Sequence, residues 1–243
     1  AAGSAHGEGS GGNIVLQSGS AVDGDGGDIA VTTGSSENGD GGKISLATAD
    51  ASSEDGTSGT ISLLSGSTAS GSSGSITLGT GDTGSGTVGD IFLEVGKSSS
   101  GLGGSVHFTP GETAGGDGGD LNVVSGASSS SQSGDITIQT ANSGIVGSSG
   151  NVAISTGTTS DGPSGAVTIS TGDSHGQAGS IALSAGTSDD GDGANVAVTA
   201  GSSTGSPGSQ GGSVTLTGGD GDLLGGDVRL QGGAPGGSVT IAG

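Results

Sequence analysis

Carboxylates set among glycines come closest to a chemical site in this 243-residue chain. Close carboxylates in glycine-rich turns can bind calcium together with backbone carbonyl oxygens, because calcium takes several oxygen ligands in flexible geometry. We expect no cofactor, and calcium at these turns is the alternative. The clusters are Asp23, Asp25 and Asp28; Asp117 and Asp120; Asp189, Asp190 and Asp192; and Asp220 and Asp222.

One of these runs resembles a known calcium-binding repeat. Residues 115–120 read Gly-Gly-Asp-Gly-Gly-Asp and are similar to the first six positions of the RTX nonapeptide, which binds calcium in a parallel β-roll. The likeness ends at the next apolar position and occurs once, within a period near 15 residues. Solvated turn acids that keep the chain soluble are the preferred interpretation.

The other ionisable residues form no catalytic pattern. His6, His107 and His175 lie in different repeats and lack the spacing of a zinc site. Glu94 is the one acid at a spacer position inside a predicted strand. Enzymes of the parallel β-helix class that cleave polysaccharides need basic residues or paired carboxylates held on strands. We therefore predict no enzyme activity and assign no catalytic, cofactor-binding or metal-binding residue.

A five-residue apolar pattern, here called a cassette, recurs sixteen times. Each cassette has an aliphatic first position, a second apolar residue two places on, and a third position four places on that is usually Ser or Thr. Glycine usually lies on both sides, as in Gly150 to Gly157. The spacing is mostly 15 residues, with values of 14, 16, 17, 18 and a final 11. A fixed period indicates a repeat array. The first positions are Ile14, Ile29, Ile44, Ile61, Ile76, Ile91, Val106, Leu121, Ile136, Val152, Val167, Ile181, Val196, Val214, Val228 and Val239.

Apolar alternation between glycines is typical of β-strands. The link from Gly233 to Ser238 spans at most about 17 Å, which is too short to return along a strand of roughly 20 Å but long enough to cross to an opposed sheet about 10 Å away. We therefore predict an all-β fold, a β-solenoid of sixteen repeats of about 15 residues, with two opposed parallel sheets and about 30 residues per coil. The alternatives are one 15-residue repeat per coil and an antiparallel meander. Aliphatic pairs that pointed into water would contradict this prediction.

Composition and charge exclude several functions. The chain has 61 Gly, no Cys and a formal charge of -21, and its basic residues are Lys43, Lys97 and Arg229. It offers no basic surface for nucleic acid or for anionic lipid, and no apolar run long enough for membrane insertion. The low lysine content and the few protease sites favour an extracellular or cell-surface location.

Small residues at the outward spacer positions suggest a second kind of function. Thr215 and Thr217 form a Thr-x-Thr pair of the kind that solenoidal antifreeze proteins repeat in rows, and the chain resembles those proteins in this respect. Phe92, Glu94, His107 and Arg229 interrupt the spacer positions elsewhere. Thr, Ser and Ala also simply suit an exposed strand.

The pattern as a whole resembles glycine-rich β-solenoid segments of secreted surface fibres and adhesins. The resemblance covers residues 13–243 and concerns architecture. We predict a lead-in, or the tail of a preceding repeat, at 1–12 and one continuous array at 13–243. The expected function is that of a structural extracellular protein forming a rigid rod, a filament or a cell-surface fibre. It would self-associate end to end or laterally; the alternative is an ice-binding module, or one that binds another flat surface such as a polysaccharide.

Overall fold

The structure is a computed structural model that describes residues 2–3, 10–53, 56–205 and 207–242. Within these ranges the backbone forms no helix and no β-strand, and turns and bends separate extended segments. Contacts divide the chain into two units, Ala1–Leu121 and Asn122–Gly243. The predicted division into 1–12 and 13–243 stays a prediction.

The predicted β-solenoid is wrong. A two-sheet coil requires backbone hydrogen bonds between cassettes about 30 residues apart, and the two alternatives require ladders between successive cassettes. In the described ranges the backbone hydrogen bonds join residues no more than eleven positions apart, the widest being from the Gly212 N–H to the Gly201 carbonyl. No sheet of any kind forms there.

Exposure of the aliphatic pairs contradicts the same prediction. The described residues include no buried hydrophobic side chain. First positions range from 49% exposed at Val239 to 70% at Ile14, and second positions are more exposed, reaching 88% at Ile241. Two aliphatic side chains per repeat bury too little apolar surface to offset the conformational entropy lost when a glycine-rich backbone is ordered. One chain therefore does not close a core.

Among the described residues, the most buried ones lie at the third cassette position. The third-position side chain packs against the glycine two residues before the next first position, here called the leading glycine. A methyl group at leading Gly27 would lie 3.3 Å from the Cβ of Ser18, and one at Gly150 would lie 3.3 Å from Cγ2 of Thr140. The small size predicted for this position is explained by this contact. Half-buried described residues are Ser18, Ser125, Thr140, Ala200, Gly218 and Gly232.

Hydrogen bonds between glycines close the loops that join successive cassettes. In the first unit the N–H of Gly27 donates to the carbonyl of Gly19 at 2.9 Å, and Gly42 donates to Gly34 at the same distance. In the second unit Gly134 donates to Gly126 at 2.9 Å. The ends of consecutive cassettes therefore meet at each such loop. The other closing pairs between cassettes are Gly119 with Gly111, Gly212 with Gly201, Gly226 with Gly219, and Gly237 with Gly233, and the Gly12 N–H also donates to the Gly3 carbonyl ahead of the first cassette.

The pairing of Val95 with leading Gly104 supplies a test of this packing. A methyl group at Gly104 would lie 2.6 Å from Cγ1 of Val95, with no other atom nearby, whereas one at Gly103 would meet nothing within 4 Å. Gly104→Ala should therefore weaken the contact between the two segments by about tenfold, and Gly103→Ala should leave it unchanged. The measurement is the intensity of nuclear Overhauser effects between residues 95 and 104.

A second substitution should restore this contact. In the loop that follows the cassette at 181–185, the leading position is Ala194 and the third position is Ala185, so two methyl-sized side chains occur together in the natural chain. The double variant Val95→Ala with Gly104→Ala reproduces that pair and removes Cγ1. Equal loss of the Overhauser effects in the single and the double variant would contradict the packing proposed for this loop.

Candidate functional site

The structure does not gather the acidic clusters into a metal site. Among the residues that it describes, no group of three or more His, Cys, Asp or Glu side chains is arranged to hold a metal ion. Asp23, Asp25 and Asp28 are exposed, as are Asp117 and Asp120. Calcium binding at these turns stays a prediction.

A shallow depression of about 180 Å³ is lined by Asp173, Ser174 and His175. These residue types occur in hydrolytic triads, but here they are consecutive residues of one exposed loop. The hydroxyl of Ser174 accepts a hydrogen bond from the Gly176 N–H at 3.0 Å, and this bond stabilises the turn. A triad needs the base beside the nucleophile and a third group orienting the base, and no such relay joins these three described residues.

Serine and threonine hydroxyls make hydrogen bonds to the backbone within the loops, a role that was not predicted from the sequence. Thr68 Oγ1 donates to the Ser70 carbonyl at 3.0 Å, and Thr83 Oγ1 donates to the Ser85 carbonyl at 3.0 Å. Each bond precedes a glycine with positive φ, 110° at Gly71 and 118° at Gly86. The signal is a Ser or Thr two residues after the glycine that follows a cassette. Other members of this set are Ser98, Thr113, Ser128, Thr159 and Ser174.

In the sequence an Asp, Asn, Ser or Thr usually precedes the first cassette position, and such acid and amide side chains are predicted to hold the corner by accepting hydrogen bonds from nearby backbone N–H groups. Asp227, which directly precedes the cassette at 228–232, makes a different bond. Its carboxylate accepts a hydrogen bond from the Arg229 guanidinium at 2.8 Å, two residues further along the chain. Both side chains are largely exposed, and an exposed ion pair of this kind adds little stability. In these seven loops the Ser or Thr hydroxyl after the cassette, and not the acid or amide before the next one, makes the hydrogen bond that shapes the turn.

The aliphatic pairs form the largest candidate functional surface. We call the first and second positions of a cassette its cassette face. Between the first and third positions of the sixteen cassettes, the residues charged at pH 7 are Glu94 and Arg229, if His is counted as neutral. Nearly all the acids thus lie in the loops, and the cassette faces are apolar and uncharged. An exposed apolar surface repeated in this way is typical of a binding surface.

The spacer residues proposed for ice binding are also exposed. Thr215 and Thr217 lie at the surface, but the described residues contain no sheet to hold such pairs in regular rows. Glu94 and His107 are likewise exposed, and His6 lies outside the described residues. The structure brings none of these side chains together into a site within the ranges that it describes.

A search for membrane-spanning elements finds none in the described part of the chain, where no helix combines the length and the apolar character that crossing a bilayer requires. Compared with known protein families, with curated proteins and with solved structures, the chain matches none.

Proposed function

We propose that this chain is a structural repeat protein of an extracellular, cell-surface fibre, in which it associates with copies of itself. The observation that carries the proposal is the exposure of the aliphatic pairs in every cassette, in a chain whose described residues form no sheet. An uncharged apolar face repeated sixteen times is suited to assembly along a length and not to binding one small ligand.

Charge and composition support the same proposal. At -21 the chain repels nucleic acid and anionic lipid surfaces, and its acids lie mainly in loops where they would keep an assembled fibre hydrated. Three basic residues leave few sites for trypsin-like proteases, which suits an exposed chain outside the cell. We propose no enzyme activity, because the three basic residues are scattered in the sequence and Glu94 is the one acid at a cassette spacer position.

Ice binding remains the alternative function, and no structural observation favours it. Matching an ice lattice requires hydroxyls at fixed repeating distances, and the Thr215 and Thr217 pair stands alone as a full Thr-x-Thr motif at the spacer positions. We expect thermal hysteresis of the dissolved protein to equal that of buffer. Ice shaping at micromolar protein would replace the structural proposal with this one.

Immunogold electron microscopy of the source cells tests the proposed function. An antibody raised against this chain should label filaments outside the cell envelope, with gold particles along the length of each filament. Labelling confined to the cell interior, or soluble extracellular particles without filaments, would refute the proposal. A matched experiment on cells in which the coding sequence is deleted controls for cross-reaction.

A further inference from the structure

We propose that the partner of the cassette faces is a second copy of this chain, aligned in parallel and in register, so that each cassette pairs with the same cassette of its neighbour. The proposal rests on the self-association put forward above and specifies its surface and its geometry. It leaves the correction of the single-chain fold in place, because the pairing occurs between chains.

The surface area of the chain indicates how large the partner must be. A folded monomer of 21.8 kDa has an accessible surface of about 9300 Å². This chain exposes 23559 Å², which is about 2.5 times that value. A standard interface covers only about 800 Å² per partner. A small protein docked at one place would leave most of the excess uncovered, so the partner must follow the chain along its length.

The exposure of the first-position side chains along the chain indicates what kind of partner fits them. Apart from Ile14 at 70% and Leu121 at 62%, first-position side chains have similar exposure along the chain, between 49% at Val239 and 58% at Val196. A binding surface that matches every cassette must repeat with the same period. A second copy of the chain has that period by definition, and its extended cassettes carry backbone donors and acceptors that can pair with those of the first.

The irregular spacings select the register. A copy shifted by one cassette would place spacings of 17, 18 and 11 residues against spacings of other lengths, so several cassettes would lose their alignment. An antiparallel copy would meet the same mismatch. Only parallel alignment without a shift matches every cassette and every loop, and it brings each aliphatic pair against its own counterpart.

Charge makes this assembly sensitive to salt in a diagnostic direction. In register, the acidic loops of neighbouring copies lie side by side, and their repulsion opposes pairing of the uncharged cassette faces. Raising the salt concentration should therefore strengthen self-association. A cationic partner would instead bind the acidic loops, and salt would weaken that complex. The direction of the salt effect thus distinguishes a second copy from a polycation.

The central test compares two triple variants of the full chain by sedimentation velocity. One carries Ile138→Asp, Ile154→Asp and Ile169→Asp at second positions; the control carries Gln139→Asp, Ser155→Asp and Ser170→Asp at the adjacent residues. Both gain the same charge. In about 0.5 M NaCl, where the Debye length is only a few Å, we expect the unsubstituted chain to assemble. The second-position variant should need a concentration at least about 100-fold higher, and the control should stay within about fivefold of the unsubstituted chain.

Electron paramagnetic resonance tests the register. The chain has no cysteine, so Ala153→Cys gives a single site for a nitroxide label. In a fibre, many parallel in-register copies place identical residues about 4.8 Å apart in a stack, and spin exchange along that stack predicts a spectrum collapsed to one line. A chain that stays monomeric across the salt series, equal loss of assembly in both triple variants, weaker assembly at high salt, or an assembled sample with a three-line spectrum would each overturn the proposal. Assembly as predicted, with no immunogold label on surface filaments, would refute the proposed function and leave this inference standing.

Discussion

Gly218→Ala is expected to open the loop that joins the cassette at 214–218 to the next. A methyl group at Gly218 would overlap the carbonyl oxygen of Gly226 and would lie 2.8 Å from the carbonyl carbon of Gly226. Those atoms belong to backbone and cannot rotate away. Overpacking of this kind costs about 1–3 kcal/mol, so the closed population should fall by about 5- to 150-fold. The readout is the hydrogen bond from the Gly226 N–H to the Gly219 carbonyl, 2.8 Å long, followed by amide exchange and by Overhauser effects between residues 219 and 226.

The adjacent glycine is the matched control for this substitution. A methyl group at Gly219 would meet nothing within 4 Å, and Gly219 has no positive φ. Gly219→Ala should therefore keep the closing bond and exchange at Gly226 as the unsubstituted chain does. Opening of the loop by both substitutions would show that any added side chain disrupts it, and the steric account of position 218 would be wrong.

The sequence alone allowed the position of each repeat to be predicted, but not its pairing. Glycine, alternation and a usually small third residue mark most cassettes, and the structure reverses the chain after them, as between Ser18 and Gly27. These are local properties, set by chain conformation and by contacts a few residues apart. Pairing between cassettes depends on groups that lie far apart in sequence, and the cassettes contain nothing that requires the partner strand to come from the same chain.

The length of the link from Gly233 to Ser238 constrains how the chain reverses, but not whether the two segments it joins enter a sheet. Its length excluded return along a strand within one 15-residue coil, and the structure closes this link by a bond from the Gly237 N–H to the Gly233 carbonyl of 2.7 Å. A short link requires a sharp reversal. It does not require that the two segments then join sheets, and the exclusion of one coil geometry was wrongly read as support for the other.

The sequence identifies the residues of the candidate surface, but it led to the prediction that they are buried, and they are exposed. The aliphatic pairs, such as Ile154 with Val152, were expected to fill a core, and they are instead 73% and 56% exposed. The pattern of apolar residues is the same in both cases, because periodicity reports which side chains share a face and not what covers that face. The role of loop hydroxyls such as Thr83 in shaping the turns was not predicted from the sequence.

Backbone amides of the cassettes should be nearly unprotected from hydrogen exchange when the chain is monomeric. Protection requires a hydrogen-bonded N–H that opens only rarely, and in the described residues the cassettes belong to no strand ladder. The Gly27 and Gly42 amides, which close loops, should be slowed modestly. On assembly with copies of the chain, cassette amides such as that of Ala153 should become the most protected from exchange in the molecule. This change in amide protection is the largest effect expected for this chain.

The most direct test is therefore residue-resolved hydrogen exchange of the full chain in dilute, low-salt solution, with sedimentation confirming the monomer. Cassette amides at Ala153, Thr168 and Thr215 are predicted to exchange within about tenfold of an unstructured peptide, since solvent-exposed, unpaired amides exchange at close to that rate. Slowing of the same amides by more than about 1000-fold in the monomer, as a cooperatively folded sheet would produce, would contradict the claim that one chain alone does not pair its cassettes.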